Sequence, residues 1–119
     1  MRVLVCGGRD FDDWCLMRNT LQDKLGVYRG NPPDNQAIIS GDACGADWLA
    51  RAWAKYTGRE YEGYPADWKK YGKGAGPVRN QQMLDEGKPD LVVAFPGGIG
   101  TADMVRRARK AGVEVIEVK

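Results

Sequence analysis

The chain contains no histidine. That absence removes the imidazole base on which Ser-His-Asp and Cys-His catalysis depend. It also removes a common zinc ligand, and Cys6, Cys15 and Cys44 lack C-x-x-C spacing, so no metal site is expected. An odd set of thiols reads as reduced cysteines in the cytoplasm. Long apolar runs are missing too. The longest, Leu91 to Pro96, falls far short of the roughly 20 residues that span a membrane. A strong charge of either sign is also absent. Eighteen Lys and Arg against sixteen Asp and Glu leave +2, too little to attract nucleic acid through bulk electrostatics.

What is present is the composition of an ordinary globule, 43% apolar and 29% charged. A length of 119 residues predicts one domain over 1–119. A strand-like run begins at Arg2, so no leader segment is expected. Any chemistry must rest on carboxylates, arginine, lysine, hydroxyls or backbone amides, and no cofactor is expected.

The pattern alternates strand and helix. Strands are expected at Arg2–Cys6, Ala37–Ser40, Glu60–Tyr64, Leu91–Phe95 and Val113–Val118. Helices are expected at Asp12–Val27, Ala46–Thr57, Pro77–Glu86 and Thr101–Ala111. Asn31-Pro32-Pro33-Asp34 is a breaker, and Pro65 to Gly76 reads as a polar, glycine-rich loop. Trp14, Met17, Leu21 and Leu25 share one helical face; Leu49, Ala50 and Trp53 point inward on the next helix, and Met83 and Leu84 read as core. Strands separated by helices imply a parallel sheet with right-handed crossovers. The expectation is a Rossmann-like three-layer α/β/α sandwich with five parallel strands in the order 3-2-1-4-5. Ligands of such sheets sit beyond the carboxyl ends of the strands, where the order reverses. Glycine-rich loops after strands one, two and four meet there, and that convergence points to a ligand crevice.

The segment Pro96-Gly97-Gly98-Ile99-Gly100-Thr101 leads a strand directly into a helix. Free amides and the positive dipole end of that helix suit a phosphate, with Thr101 as a further hydroxyl or as a cap. It is not the dinucleotide fingerprint, because Asp103 stands where the third glycine belongs, and no Walker loop is present. Gly7-Gly8-Arg9-Asp10 places a cation and a carboxylate after strand one. Arg9 can fork onto a phosphate and Asp10 can hold a ribose, or the two can form a surface pair. Gly41, Asp42 and Gly45 are ligand candidates after strand two, whereas Asp47 is accounted for by the dipole of the helix it opens. Cys44 has no base to activate it. Trp68, Tyr71, Lys69, Lys70 and Lys73 can stack a base and attract phosphate, or form a solvated lid. Arg79 and Asn80 fall on the first turn of the expected third helix, where an arginine is electrostatically disfavoured and so hints at function.

Five segments then carry a resemblance: Gly7 to Phe11, Gly41 to Asp47, Pro65 to Trp68, Gly76 to Asn80 and Phe95 to Met104. Together they resemble the small YspA-like branch of the SLOG superfamily, which also occurs in bacteriophage genomes. The resemblance covers nearly the whole chain. It implies a Rossmann-like domain that binds a nucleotide or a nucleotide-derived ligand, of the nucleoside phosphate or ADP-ribose type, and a homodimer. The chain is also similar to the Lonely Guy phosphoribohydrolases, which carry a P-G-G-x-G-T loop and an arginine on the preceding helix. That similarity implies, as an alternative, cleavage of an N-glycosidic bond with Arg79 and Asp103 as catalytic residues. The glutamate of those enzymes lies three residues after the threonine, where this chain has Met104. Asp103 stands one position earlier, a helical step of about 100°. A looser similarity of Gly41 to Asp47 to DNA-processing protein A implies single-stranded DNA binding, ranked lower. In the leading reading, phosphate rests on Gly97 to Thr101 with Arg79 and Arg9. Asp10, Asp42 or Asp103 contacts the ribose, and Trp68 closes over the base.

Overall fold

The computed structural model describes residues 1–26 and 36–118. The expected breaker at Asn31–Asp34 lies outside them. Five strands, β1 (Arg2–Cys6), β2 (Ala37–Ser40), β3 (Glu60–Gly63), β4 (Leu91–Ala94) and β5 (Glu114–Glu117), form one sheet. Its order is β3-β2-β1-β4-β5 and every pairing is parallel. The fold is therefore the three-layer α/β/α sandwich that the alternating pattern predicts.

The side-chain alternation of the strands feeds two cores. Val3 and Val5 of β1 and Leu91 and Val93 of β4 face helices α1 (Trp14–Leu25) and α2 (Ala46–Thr57), where they meet Met17, Leu21, Ala50 and Trp53. Leu4, Cys6, Val92 and Ala94 face the opposite layer, where Met83, Leu84, Met104, Val105 and Ala108 pack. β1, β2 and β4 are buried on both faces and read as continuous apolar runs. β3 and β5 are the edges, and glutamates at Glu60, Glu62, Glu114 and Glu117 guard them against pairing with other chains.

Two expectations change. The stretch Pro65 to Gly76 is not a continuous loop. It holds α3 (Trp68–Tyr71), whose cap Asp67 accepts from the Lys70 amide at 3.1 Å, and a 3₁₀ turn at Gly72–Gly74. The glycines there mask an ordinary capped turn of helix-forming residues. α4 (Ala75–Gln82) then starts before Pro77 and passes into a π turn at Met83–Gly87. Arg79 consequently lies in the last turn of α4 rather than the first. Clear of the first turn, it does not meet the positive end of the helix, so the electrostatic anomaly expected of Arg79 disappears. α5 (Ile99–Lys110) begins two residues before Thr101.

Candidate functional site

Three loops meet at the carboxyl edge of the sheet, and Gly8 ties them together. Its N–H donates to the Pro96 carbonyl at 2.8 Å, and its carbonyl accepts from Phe11 and Ala46 at 3.2 Å each. The close approach leaves no room for side chains. A Cβ on Gly8 would lie 3.1 Å from the Pro96 oxygen, and one on Gly7 2.6 Å from the Ala46 Cβ. Gly45 combines a φ of 78° with a packed Gly8 carbonyl where its side chain would go. Gly97 sits under the Thr101 hydroxyl and against the Gly8 amide. Internal packing thus accounts for these four glycines.

Gly98 and Gly100 differ. Nothing lies within 4 Å of the Cβ position of either, and neither has a positive φ. Gly98 is the N-cap of α5 and supplies no side-chain hydrogen bond. The first intrahelical bond runs from the Ala102 amide to the Gly98 carbonyl at 3.0 Å. The amides of Ile99, Gly100 and Thr101 therefore have no acceptor among the described residues. α1 and α3, by contrast, are capped by Asp13 and Asp67.

These amides border a cavity of about 620 Å³. Buried Cys6, Asp47, Asn80 and Asp103 form its floor, and exposed Arg9, Trp68, Lys73 and Ile99 ring its mouth. Of the candidate residues, Gly7, Gly8, Arg9, Trp68, Arg79, Asn80, Gly98, Gly100, Thr101 and Asp103 line it. Asp10, Gly41, Asp42, Gly45, Pro96 and Gly97 do not. Asp42 turns away: it accepts from the Tyr61 hydroxyl at 3.0 Å and pairs with Arg51 at 3.5 Å, on a backbone at φ 58°. Pro96 and Gly97 border a smaller cavity of about 360 Å³ on the other side of their loop. Gly41 lies beneath the Arg79 guanidinium, which occupies the space a Cβ would need.

A hydrogen-bond chain fixes the polar wall. Arg79 donates through Nη1 to the Gly41 carbonyl at 2.7 Å and through Nε to the Asn80 side-chain oxygen at 3.0 Å. The Asn80 amide nitrogen donates to Asp103 at 3.0 Å and to the Gly100 carbonyl at 3.3 Å. Asp103 also accepts from Arg107 at 2.8 Å and from Arg106. Burial alone would raise the Asp103 pKa, but the Asn80 amide and the Arg107 and Arg106 charges together hold it below the usual carboxylate value. Asp103 is therefore an ionised anchor joining α4 to α5. Burial also lowers the Arg79 pKa, with the nearby Asp47 charge opposing the shift.

Asp47 is the cavity residue that sequence reasoning missed. It is only 7% exposed, and burial pushes its carboxyl up to about 6 against the Ala43 amide and the Arg79 charge. Its anchoring is slight: the Ala43 amide donates to Oδ2 at 3.3 Å. The helix dipole accounts for an aspartate at this position without a ligand, and its place two residues after Gly45 is the available signal. Lys73 and Arg106 also join the cavity wall. Burial drives the neighbouring Cys6 thiol up to about 12, which leaves it inert.

Residues 1–71 match a family described as YAcAr: YspA, cpYpsA-related SLOG family. The chain belongs to this family. It is 38% identical over 124 residues to the Gene 61 protein of Mycobacterium phage D29, covering 97% of the SLOG chain and 94% of that relative. The similarity to a phage protein agrees with the phage-borne branch that the motifs pointed to. Among solved structures, the SLOG chain is similar to the Moco Carrier Protein from Chlamydomonas reinhardtii, with a TM-score of 0.58 and 16% identity. That match covers 98% of this chain and 75% of the other, and it bears on the fold. Membership associates the SLOG chain with nucleotide-type ligands at family level. Among its described residues, no helix is long and apolar enough to cross a membrane.

Proposed function

We propose that the protein binds a nucleotide or nucleotide-derived ligand in the cavity beyond β1 and β4. The phosphate rests on the Ile99, Gly100 and Thr101 amides, with Arg79, Lys73 and the Thr101 hydroxyl beside it. Asp47 accepts from a ribose hydroxyl, and Trp68 lies against the base. The observation that carries this reading is the uncapped start of α5. Its free amides belong to residues that line a cavity, and neither packing nor positive φ accounts for the glycines beside them. A cavity of this size suits a small-molecule ligand of that class.

Binding is favoured over N-glycosidic cleavage because three donors already occupy the Asp103 carboxylate. Lys69 and Lys70 lie outside the cavity lining, so single-stranded DNA would find only Lys73 of the three loop lysines there. A thermal-shift panel of nucleoside mono- and diphosphates, ADP-ribose and unphosphorylated nucleosides tests the reading. Ligand at 100 times its Kd stabilises by about 2.7 kcal/mol, a rise of several degrees. Phosphorylated ligands are expected to give that rise and nucleosides little. No shift with any phosphorylated ligand at millimolar concentration refutes the reading. Release of free base from AMP, abolished by Asp47→Asn, would instead establish hydrolysis.

A further inference from the structure

Resting on that nucleotide reading, we propose that Arg9 and Trp68 form a latch across the cavity mouth. The planar base of a ligand opens the latch by taking Arg9's place on the indole, which releases the guanidinium to the phosphate. The site then selects ligands that carry base and phosphate together.

The Arg9 guanidinium carbon lies 5.7 Å from the centre of the Trp68 ring, and both residues line the cavity. Arg9 follows β1, whereas Trp68 opens α3, so the stack joins two separate segments. Arg9 has no hydrogen bond or ion pair among the described residues. An arginine that lines the same cavity as those helix amides, with no acceptor of its own among the described residues, is a cation held in reserve.

The segment carrying Trp68 is also free to respond. α3 buries none of its side chains, and it is closed locally by the Asp67 cap and by the Gly72 amide bonding to the Trp68 carbonyl. Beyond it, Gly72 has a φ of 54°, and neither Gly72 nor Gly74 has an atom within 4 Å of its Cβ position. The turn can shift as a unit without exposing core.

Relative strengths set the direction. A guanidinium stacked on an exposed indole shifts an equilibrium by about two- to fivefold. A base stacked on an aromatic side chain is worth roughly fivefold to a hundredfold. Under this proposal both use the cavity-facing side of the ring, where the base displaces the guanidinium. Ribose 5-phosphate has no base and leaves the latch closed.

The test uses the full chain and the indole N–H resonances of its four tryptophans. Trp68→Leu identifies the Trp68 signal by its loss. In ligand-free protein, Arg9→Ala is expected to move that signal and leave the other three in place. An unmoved signal overturns the latch. With AMP, Trp68→Leu is expected to weaken binding about tenfold. With ribose 5-phosphate the same variant should bind equally well or up to fivefold tighter, because Arg9 is no longer stacked. Equal weakening toward both ligands overturns the proposal. If neither ligand binds the unmutated protein, base displacement is overturned for AMP, and the nucleotide reading fails with it only when the whole phosphorylated panel is also silent. The ligand-free Arg9→Ala spectrum separately decides whether the latch exists.

Discussion

Replacing Asp47 with asparagine should make this protein more stable and its site worse. The side chain is 7% exposed, and its carboxyl titrates at about 6 in the fold against 3.8 when unperturbed. Each unit of displacement corresponds to about 1.4 kcal/mol, so at pH 7.5 the ionised Asp47 destabilises the fold by about 3 kcal/mol. The native state binds more protons than the unfolded chain between about pH 4 and 6, so this contribution worsens as pH rises through that window. Asparagine carries no charge to desolvate, and its oxygen can still accept from the Ala43 amide. At roughly 4 °C per kcal/mol, Asp47→Asn should melt about 10 °C higher than the parent at pH 7.5. The two should converge by about pH 4. Melting curves followed by circular dichroism from pH 4 to 8 measure the difference directly. Parallel curves across that range would refute the argument that Asp47 is a strained, desolvated carboxyl. The same variant should bind nucleotide about tenfold more weakly, since it loses a charge-assisted hydrogen bond.

Five further variants have expected outcomes. Gly100→Ala should raise stability by about 1 kcal/mol in urea unfolding, because alanine favours a helix and nothing crowds the position. Gly100→Leu should fold equally well, yet lose the thermal shift that phosphorylated ligands produce. Gly41→Ala should displace the Arg79 guanidinium at a cost of about 1–3 kcal/mol, and calorimetry should register at least a tenfold loss of nucleotide affinity. Asp103→Asn should lower stability by about 2 kcal/mol at pH 7, because Arg106, Arg107 and Asn80 lose a charged partner. The folded pKa of Asp103 is depressed, so that loss should be full above the unfolded value of 3.8 and shrink in melts as pH falls below it through the folded value. Arg59→Met should lower the urea midpoint by the equivalent of about 2–3 kcal/mol, because Arg59 caps the Leu25 and Gly26 carbonyls while stacking on Trp53 at 4.5 Å.

The fold was legible because local and global signals agree in this chain. β2 and α2 match their expected limits to the residue, since Ser40-Gly41 and Thr57-Gly58 punctuate an otherwise consistent pattern. α3 was hidden because Gly72, Gly74 and Gly76 look like a loop, while the Asp67 cap needs only four residues to act. The site was legible as a set of loops but not as a set of orientations. Asp42 and Asp47 lie five residues apart, yet one turns to Tyr61 and the other into the cavity. No periodicity reports that choice, because it follows from the left-handed backbone at Asp42 and from how α2 docks. Asp103 illustrates the same limit. Its proximity to the glycine loop suggested chemistry, but Arg106 and Arg107 on its own helix and Asn80 on a separate one already hold it, and only the first two can be read from spacing.

The bonds through Gly8 have a further consequence. They join the three loops by neutral main-chain groups, whereas Arg79 and Lys73 would add an ionic part to the proposed phosphate contacts. Salt and pH act on the second kind and hardly touch the first. Raising ionic strength should therefore weaken the proposed binding while the cavity walls stay in register. On the proposed reading, a bound nucleotide should come off in salt under native conditions and the same protein should reload, without a cycle of unfolding.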